Sequence, residues 1–171
     1  MTAKSLYMKQ FFALLFVLFV IGAKAQIVNI PDPVFKSVLI NYSPRIDVNF
    51  DSEIQESEAA ATLILNINAV NNIIDMTGIR SFTNLQHLSI SNLQSLTFLD
   101  LNGLSNLKML TISQMEAITS VNISGIDNLD QLNISQFPLT NIINSTGVNS
   151  KRLDINQVAV TSLDMGSFTA L

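Results

Sequence analysis

The sequence repeats itself at a fixed period, and that period dictates its architecture. "NLQHLSISNLQSLTFLDLNGL" is followed by "NLKMLTISQMEAITSVNISGI", then "NLDQLNISQFPLTNIINSTGV", then "SKRLDINQVAVTSLDMGSF". Leu88, Leu110, Leu132 and Leu153 recur at steps of 22, 22 and 21, and Ile90, Ile112, Ile134 and Ile155 accompany them. A degenerate earlier copy, "LILNINAVNNIIDMTGI", aligns Leu65 and Ile67 with these columns, and Gly78, Gly103 and Gly125 mark a recurring corner. Each copy holds two short pieces in which apolar residues alternate with polar ones. Alternation places Leu88 and Ile90 inside and His87 and Ser89 outside. One copy cannot bury its own apolar side, so copies must stack. The period predicts a mainly β, right-handed solenoid of 21–22-residue repeats, with two narrow parallel sheets around a leucine core.

Composition agrees with a thin layered core. Apolar residues make up 48% of the chain, yet aromatics only 7%, and there is no Trp. The core must therefore be built from Leu, Ile and Val. With no cysteine there are no disulfides, so burial, stacking or metal has to hold the fold.

The N-terminus reads as a secretory signal peptide. Lys4 and Lys9 precede the apolar run Phe11 to Ile21, and "AKA" stands just before Gln26. Eleven apolar residues are too few for a membrane-spanning helix, which takes about 20. Cleavage before Gln26 would remove Lys4, Lys9 and Lys24. Six of the nine basic residues then remain against 13 acidic ones, a net charge of −7. Such a chain is a poor partner for nucleic acid. These features predict a secreted or surface-exposed protein with no membrane span after cleavage. The division expected is a signal peptide over 1–25, a cap over 26–61 and repeats over 62–171. The closing "MGSFTAL" resembles the start of a further copy, so the array reads as incomplete.

The cap carries a helix and a loop. Asp32 is suited to N-cap the helix and Pro33 to open it. Val34, Phe35, Val38, Leu39 and Tyr42 share one helical stripe, and Pro44 ends the helix at Ser43. The loop "DVNFDSEIQESE" then has EF-hand spacing. Asp47, Asn49, Asp51, Glu53 (through its carbonyl), Gln55 and Glu58 occupy the ligand positions. Ser52 stands where glycine makes the turn, so a serine at positive φ is expected, at about 1 kcal/mol or more. One weak calcium site, on the order of 10⁻⁴ to 10⁻³ M, is one reading. The other is an acidic turn ahead of a helix capped by Ser52 or Ser57.

The L-x-x-L-x-I column resembles the leucine-rich repeat. The chain as a whole is similar to secreted leucine-rich-repeat surface proteins of Gram-negative bacteria that use type IX export. The likeness runs through "VNIPDPVFKSVLI", "DSEIQESEA", "MTGIRSFTNL" and the "LTSLDM"-type half-repeats. One position departs. Where such repeats often carry Asn after the first strand, this chain has Leu93, Met115, Phe137 and Val158. No asparagine ladder is expected there.

Function must come from the outward face. His87, Ser89 and Ser91 form one row of a grid, followed by Met109, Thr111 and Ser113; Gln131, Asn133 and Ser135; and Arg152, Asp154 and Asn156. Small neutral groups of this kind suit hydrogen bonding to a glycan or a protein backbone, and equally suit a solvated sheet. His87 is the only histidine. Its nearest Asp columns, Asp100 and Asp164, belong to the other face, so no nucleophile–base pair is expected. The N-x-S/T triplets at Asn122, Asn133 and Asn144 are products of the repeat. The reading is a non-enzymatic protein- or glycan-binding adhesion module whose partner is an extracellular protein or polysaccharide. The alternative is a structural stalk, or the N-terminal part of a larger secreted protein with its active domain beyond residue 171.

Overall fold

The computed structural model describes residues 25–68, 70, 72–137, 141–143 and 152–158. All but the last residue of the expected signal peptide, together with Asp164 and the closing "MGSFTAL", lie outside these residues. Among the described residues, no helix is long and apolar enough to cross a membrane.

Two parallel sheets form the solenoid. The first has the order β1 (Ile64–Asn68), β2 (His87–Ser91), β4 (Met109–Ser113), β6 (Gln131–Phe137), β8 (Arg152–Val158). The second has the order β3 (Phe98–Asp100), β5 (Ser120–Asn122), β7 (Asn141–Ile143). Register follows the sequence columns. Leu65, Leu88, Leu110, Leu132 and Leu153 are successive partners, as are Ile67, Ile90, Ile112, Ile134 and Ile155. A mainly β parallel solenoid with a repeat of about 22 residues is therefore established.

The inward columns are fully buried. Leu88, Ile90, Leu110, Ile112, Leu132 and Ile134 expose no more than 1% of their surface. Leu99 and Val121 close the core from the second sheet. The hydrocarbon corner is confirmed where side chains are described, since Leu93 and Met115 are completely buried.

Polar ladders do exist in this solenoid, at other corners. "DMTG", "DLNG" and "NISG" each place an Asp or Asn two residues before a Ser, Thr or Asn and three before Gly. Asp75 Oδ1 accepts from Thr77 N, Asp100 Oδ1 from Asn102 N, and Asn122 Oδ1 from Ser124 N. These are Asx turns, and each delivers the chain to a glycine at positive φ: Gly78, Gly103 and Gly125. Asn122 Nδ2 also donates to Asp100 Oδ1 at 2.8 Å, joining two coils. A further rung joins Asn106 Nδ2 to Thr83 O at 2.9 Å.

The first corner turns by a different device. Asn92, Gln114 and Gln136 all adopt left-handed backbone with φ from 54° to 62°. This conformation turns the Asn92 N–H toward Ser113 O and the Gln114 N–H toward Ser135 O, both at 3.1 Å. Inter-coil bonding thus continues past the strand end, and it offsets the cost of positive φ in a non-glycine residue.

The cap packs on the first coil. Helix α1 (Pro33–Ile40) starts at Asp32, whose carboxylate accepts from Val34 N and Phe35 N. It ends earlier than Pro44 requires, at the C-cap Asn41. Asn41 donates its side-chain amide to Ser37 O and so satisfies one of the last carbonyls. Phe35 and Leu39 are fully buried, while Val34, Val38 and Tyr42 pack on the core less deeply. Helix α2 (Glu56–Ala61) follows the acidic loop and leads into β1.

Candidate functional site

The outer face of the first sheet is laid out as the repeat columns require. Strand pairing lines up Ile64, His87, Met109, Gln131 and Arg152 in one row. Asn66, Ser89, Thr111, Asn133 and Asp154 form the next row, and Asn68, Ser91, Ser113, Ser135 and Asn156 the third. Ile64, Asn66 and Asn68 extend the grid by one strand. The alignment of Leu65 and Ile67 with the core columns already implied them.

The face is polar and partly self-satisfied. Gln131 Nε2 donates to Asn133 Oδ1 at 3.0 Å, and Asn133 Nδ2 to Thr111 Oγ1 at 3.2 Å. Arg152 Nε donates to Asp154 Oδ2 at 2.8 Å. Apolar surface sits at one edge, where Ile64 is 50% and Met109 37% exposed. His87 is half-buried between them. Asp100 lies on the second sheet, away from His87.

The acidic loop brings its side chains together as a hydrogen-bonded turn. Asp47 is buried; its Oδ1 accepts from Phe50 N at 2.7 Å and its Oδ2 from Ser52 N at 3.2 Å. Asn49 Oδ1 accepts from Asp51 N, and Asp51 Oδ1 from Glu53 N. The Glu53 bond pulls the Asp51 carboxyl below its ordinary value; slight desolvation opposes this, and the amides of Gln55 and Asn49 assist. Glu58 clamps both ends of the loop, accepting from Val48 N at 2.9 Å and Gln55 N at 3.0 Å. Ser52 has the expected positive φ, 65°, and Phe50 has one as well, 63°.

Two details differ from the sequence reading. The helix cap is Gln55, in a capping box with Glu58, and not Ser52 or Ser57. The Glu53 side chain, which that reading did not use as a ligand, pairs with Lys36 at 2.6 Å. Asn49 and Gln55 both point amide donors at Asp51 Oδ2, each at 2.9 Å. With the carboxylates engaged in this way, no group of three or more His, Cys, Asp or Glu side chains that could hold a metal ion forms among the described residues.

The fold also creates two hollows that no sequence motif announced. One, of about 560 Å³, separates the loop before α2 from β1 and includes Tyr42, Arg45, Val48 and Ile64. Its Tyr42 hydroxyl accepts from Asn66 N at 2.7 Å, which ties the cap to the edge strand. The other, of about 220 Å³, lies on the second-sheet side and includes Asp75, Arg80, Phe98 and Asp100. Its residues come from two segments in neighbouring coils, 75–80 and 98–100, so no contiguous motif announces it.

Comparison with known proteins fits this geometry. The sequence matches the family described as the Endo-beta-N-acetylglucosaminidase EndoS LRR domain over residues 57–146, more than half of the chain. The chain belongs to the EndoS leucine-rich-repeat family. No curated protein matches it. The match begins within helix α2 and covers strands β1 to β7 of the leucine-rich-repeat solenoid.

Proposed function

We propose that this leucine-rich-repeat domain is a non-enzymatic recognition module that binds an extracellular protein or glycan through the outer face of its first sheet. The observation that supports this most directly is the row order of that face. It sets small hydrogen-bonding groups (Ser89, Thr111, Asn133) beside an apolar edge (Ile64, Met109) on a backbone held rigid by inter-coil bonding. Solenoids use such extended repeated faces for binding. The signal-peptide pattern and the likeness to type IX cargo support a location outside the cell, secreted or on the surface. Triple substitution of Ser89, Thr111 and Asn133 to Glu tests the reading. Adhesion of cells or beads carrying the chain to host proteins and polysaccharides should fall to background, while the melting temperature moves little. Retained adhesion would point instead to a spacer role.

Calcium belongs to the reading for one reason. Asp47, Asp51 and Glu58 share a twelve-residue loop, and no basic side chain is paired with them among the described residues. Rotating the Asn49 and Gln55 amides by half a turn would present oxygens in place of N–H groups. A single weak site there would hold the cap against the first coil.

A further inference from the structure

We propose that the hollow around Phe98 is a binding subsite for one ring of a neutral saccharide. The inference goes beyond the reading above, which concerns the opposite sheet. Phe98 is a phenyl ring 47% exposed on the outer face of the second sheet. Its partner in the same row is the polar Ser120, so Phe98 is no member of an apolar stripe. Beside it stand two carboxylates and a guanidinium that the fold holds in place. Arg80 donates through Nε to Asn102 O at 2.9 Å and through Nη1 to Asp100 Oδ2 at 3.3 Å. Asp100 is steadied in turn by Asn102 N and Asn122 Nδ2 on its other oxygen. Asp75 uses Oδ1 to accept from Thr77 N and Oγ1. Its Oδ2 has no protein partner among the described residues, nor has Nη2 of Arg80.

This arrangement selects the ligand chemically. An exposed aromatic face takes up apolar C–H surface. The free carboxylate oxygen accepts from hydroxyls, and the guanidinium donates to them. A group that both donates and accepts around an apolar ring face is a sugar. Arg80 already answers Asp100, which leaves no net positive charge to attract a phosphate or carboxylate. The hollow, about 220 Å³, is below the roughly 300–1,000 Å³ of sites that enclose drug-sized ligands. It therefore holds one ring and leaves the rest of a chain outside.

The test is titration of the isotope-labelled chain with maltohexaose, cellohexaose and chitohexaose, read by amide chemical shifts and calorimetry. At least one of them should shift the amides of 75–80 and 98–100. Phe98→Ala and Asp75→Asn should each weaken that binding about tenfold or more, while Ser120→Ala in the same row changes it less than twofold and all three variants keep the parental melting temperature. No shift with any of the three sugars would overturn the inference, as would equal weakening by Ser120→Ala. Shifts confined to strands β2, β4 and β6 would overturn it too, while leaving the first-sheet reading standing.

Discussion

The Asp32 carboxylate reaches the backbone N–H of Ile74, 42 residues later in the chain, at 2.8 Å. The same oxygen accepts from Asp75 N at 3.1 Å, while the other caps helix α1 at Val34 N and Phe35 N. One buried side chain thus begins the cap helix and anchors the first coil. Burial pushes its pKa up, but the four backbone N–H groups outweigh that and hold it below the ordinary 3.8.

Asp32→Asn should therefore destabilise the chain by about 1–3 kcal/mol at pH 7. Its amide oxygen can still cap α1, but its NH₂ would face two N–H donors. Because the folded pKa is depressed, the stabilisation is complete above the unfolded value of about 3.9 and is lost as pH falls through the folded one. Urea melts of both proteins at pH 7 and pH 3 check this. The gap between them should narrow at the lower pH.

Gly78 and Gly103 occupy equivalent corners but differ in their surroundings. A Cβ on Gly78 would lie 2.7 Å from Ile30 Cγ1 and 2.9 Å from Asn29 O, whereas one on Gly103 would meet nothing within 4 Å. Gly103→Ala should cost only about 1 kcal/mol, for its positive φ. Gly78→Ala must also displace the N-terminal segment, and should cost about 2–4 kcal/mol. Thermal melts that rank the two in the opposite order would contradict the seating of that segment.

Leu110 packs in the middle of the sheet and is completely buried. Leu110→Ala should lose about 2–5 kcal/mol. Leu110→Asp, which puts an unpaired charge among neighbouring coils, should leave no cooperative transition. Circular dichroism followed against temperature separates the two.

If the acidic loop binds calcium only when folded, about 100 times Kd of the ion stabilises the chain by roughly 2.7 kcal/mol. The melting temperature should rise in millimolar calcium, return with chelator and respond little to magnesium. Asp51→Asn should remove the response. A melting curve indifferent to chelator would leave the loop as a hydrogen-bonded turn alone.

Much of the fold was legible because the repeat period specifies strand register directly. The Leu88 and Ile90 columns and the extra strand at Leu65 followed from spacing, and the Asp32 cap from the residue types that open a helix. The left-handed turns at Asn92, Gln114 and Gln136 did not, since Gln carries no such preference and the turn exists only when a next coil supplies an acceptor. The loop side chains were legible as a cluster but not in their partners. Backbone N–H groups competing for Asp47 and Glu58 belong to the folded turn and leave no mark in residue spacing. The Phe98 hollow assembles residues from neighbouring coils, which periodicity alone cannot weigh.

The parallel register has a consequence for how such a surface can change. Neighbouring strands in a sheet lie about 4.8 Å apart, so the five strands of the first sheet span roughly 19 Å. Duplicating one 22-residue unit would lengthen the outer face by one such step and add a single residue to each of its three rows. Deleting a unit would shorten it without disturbing the rows that remain. The surface behaves as a ruler with fixed graduations, whose reach is set by the number of units and whose chemistry is set one mark at a time.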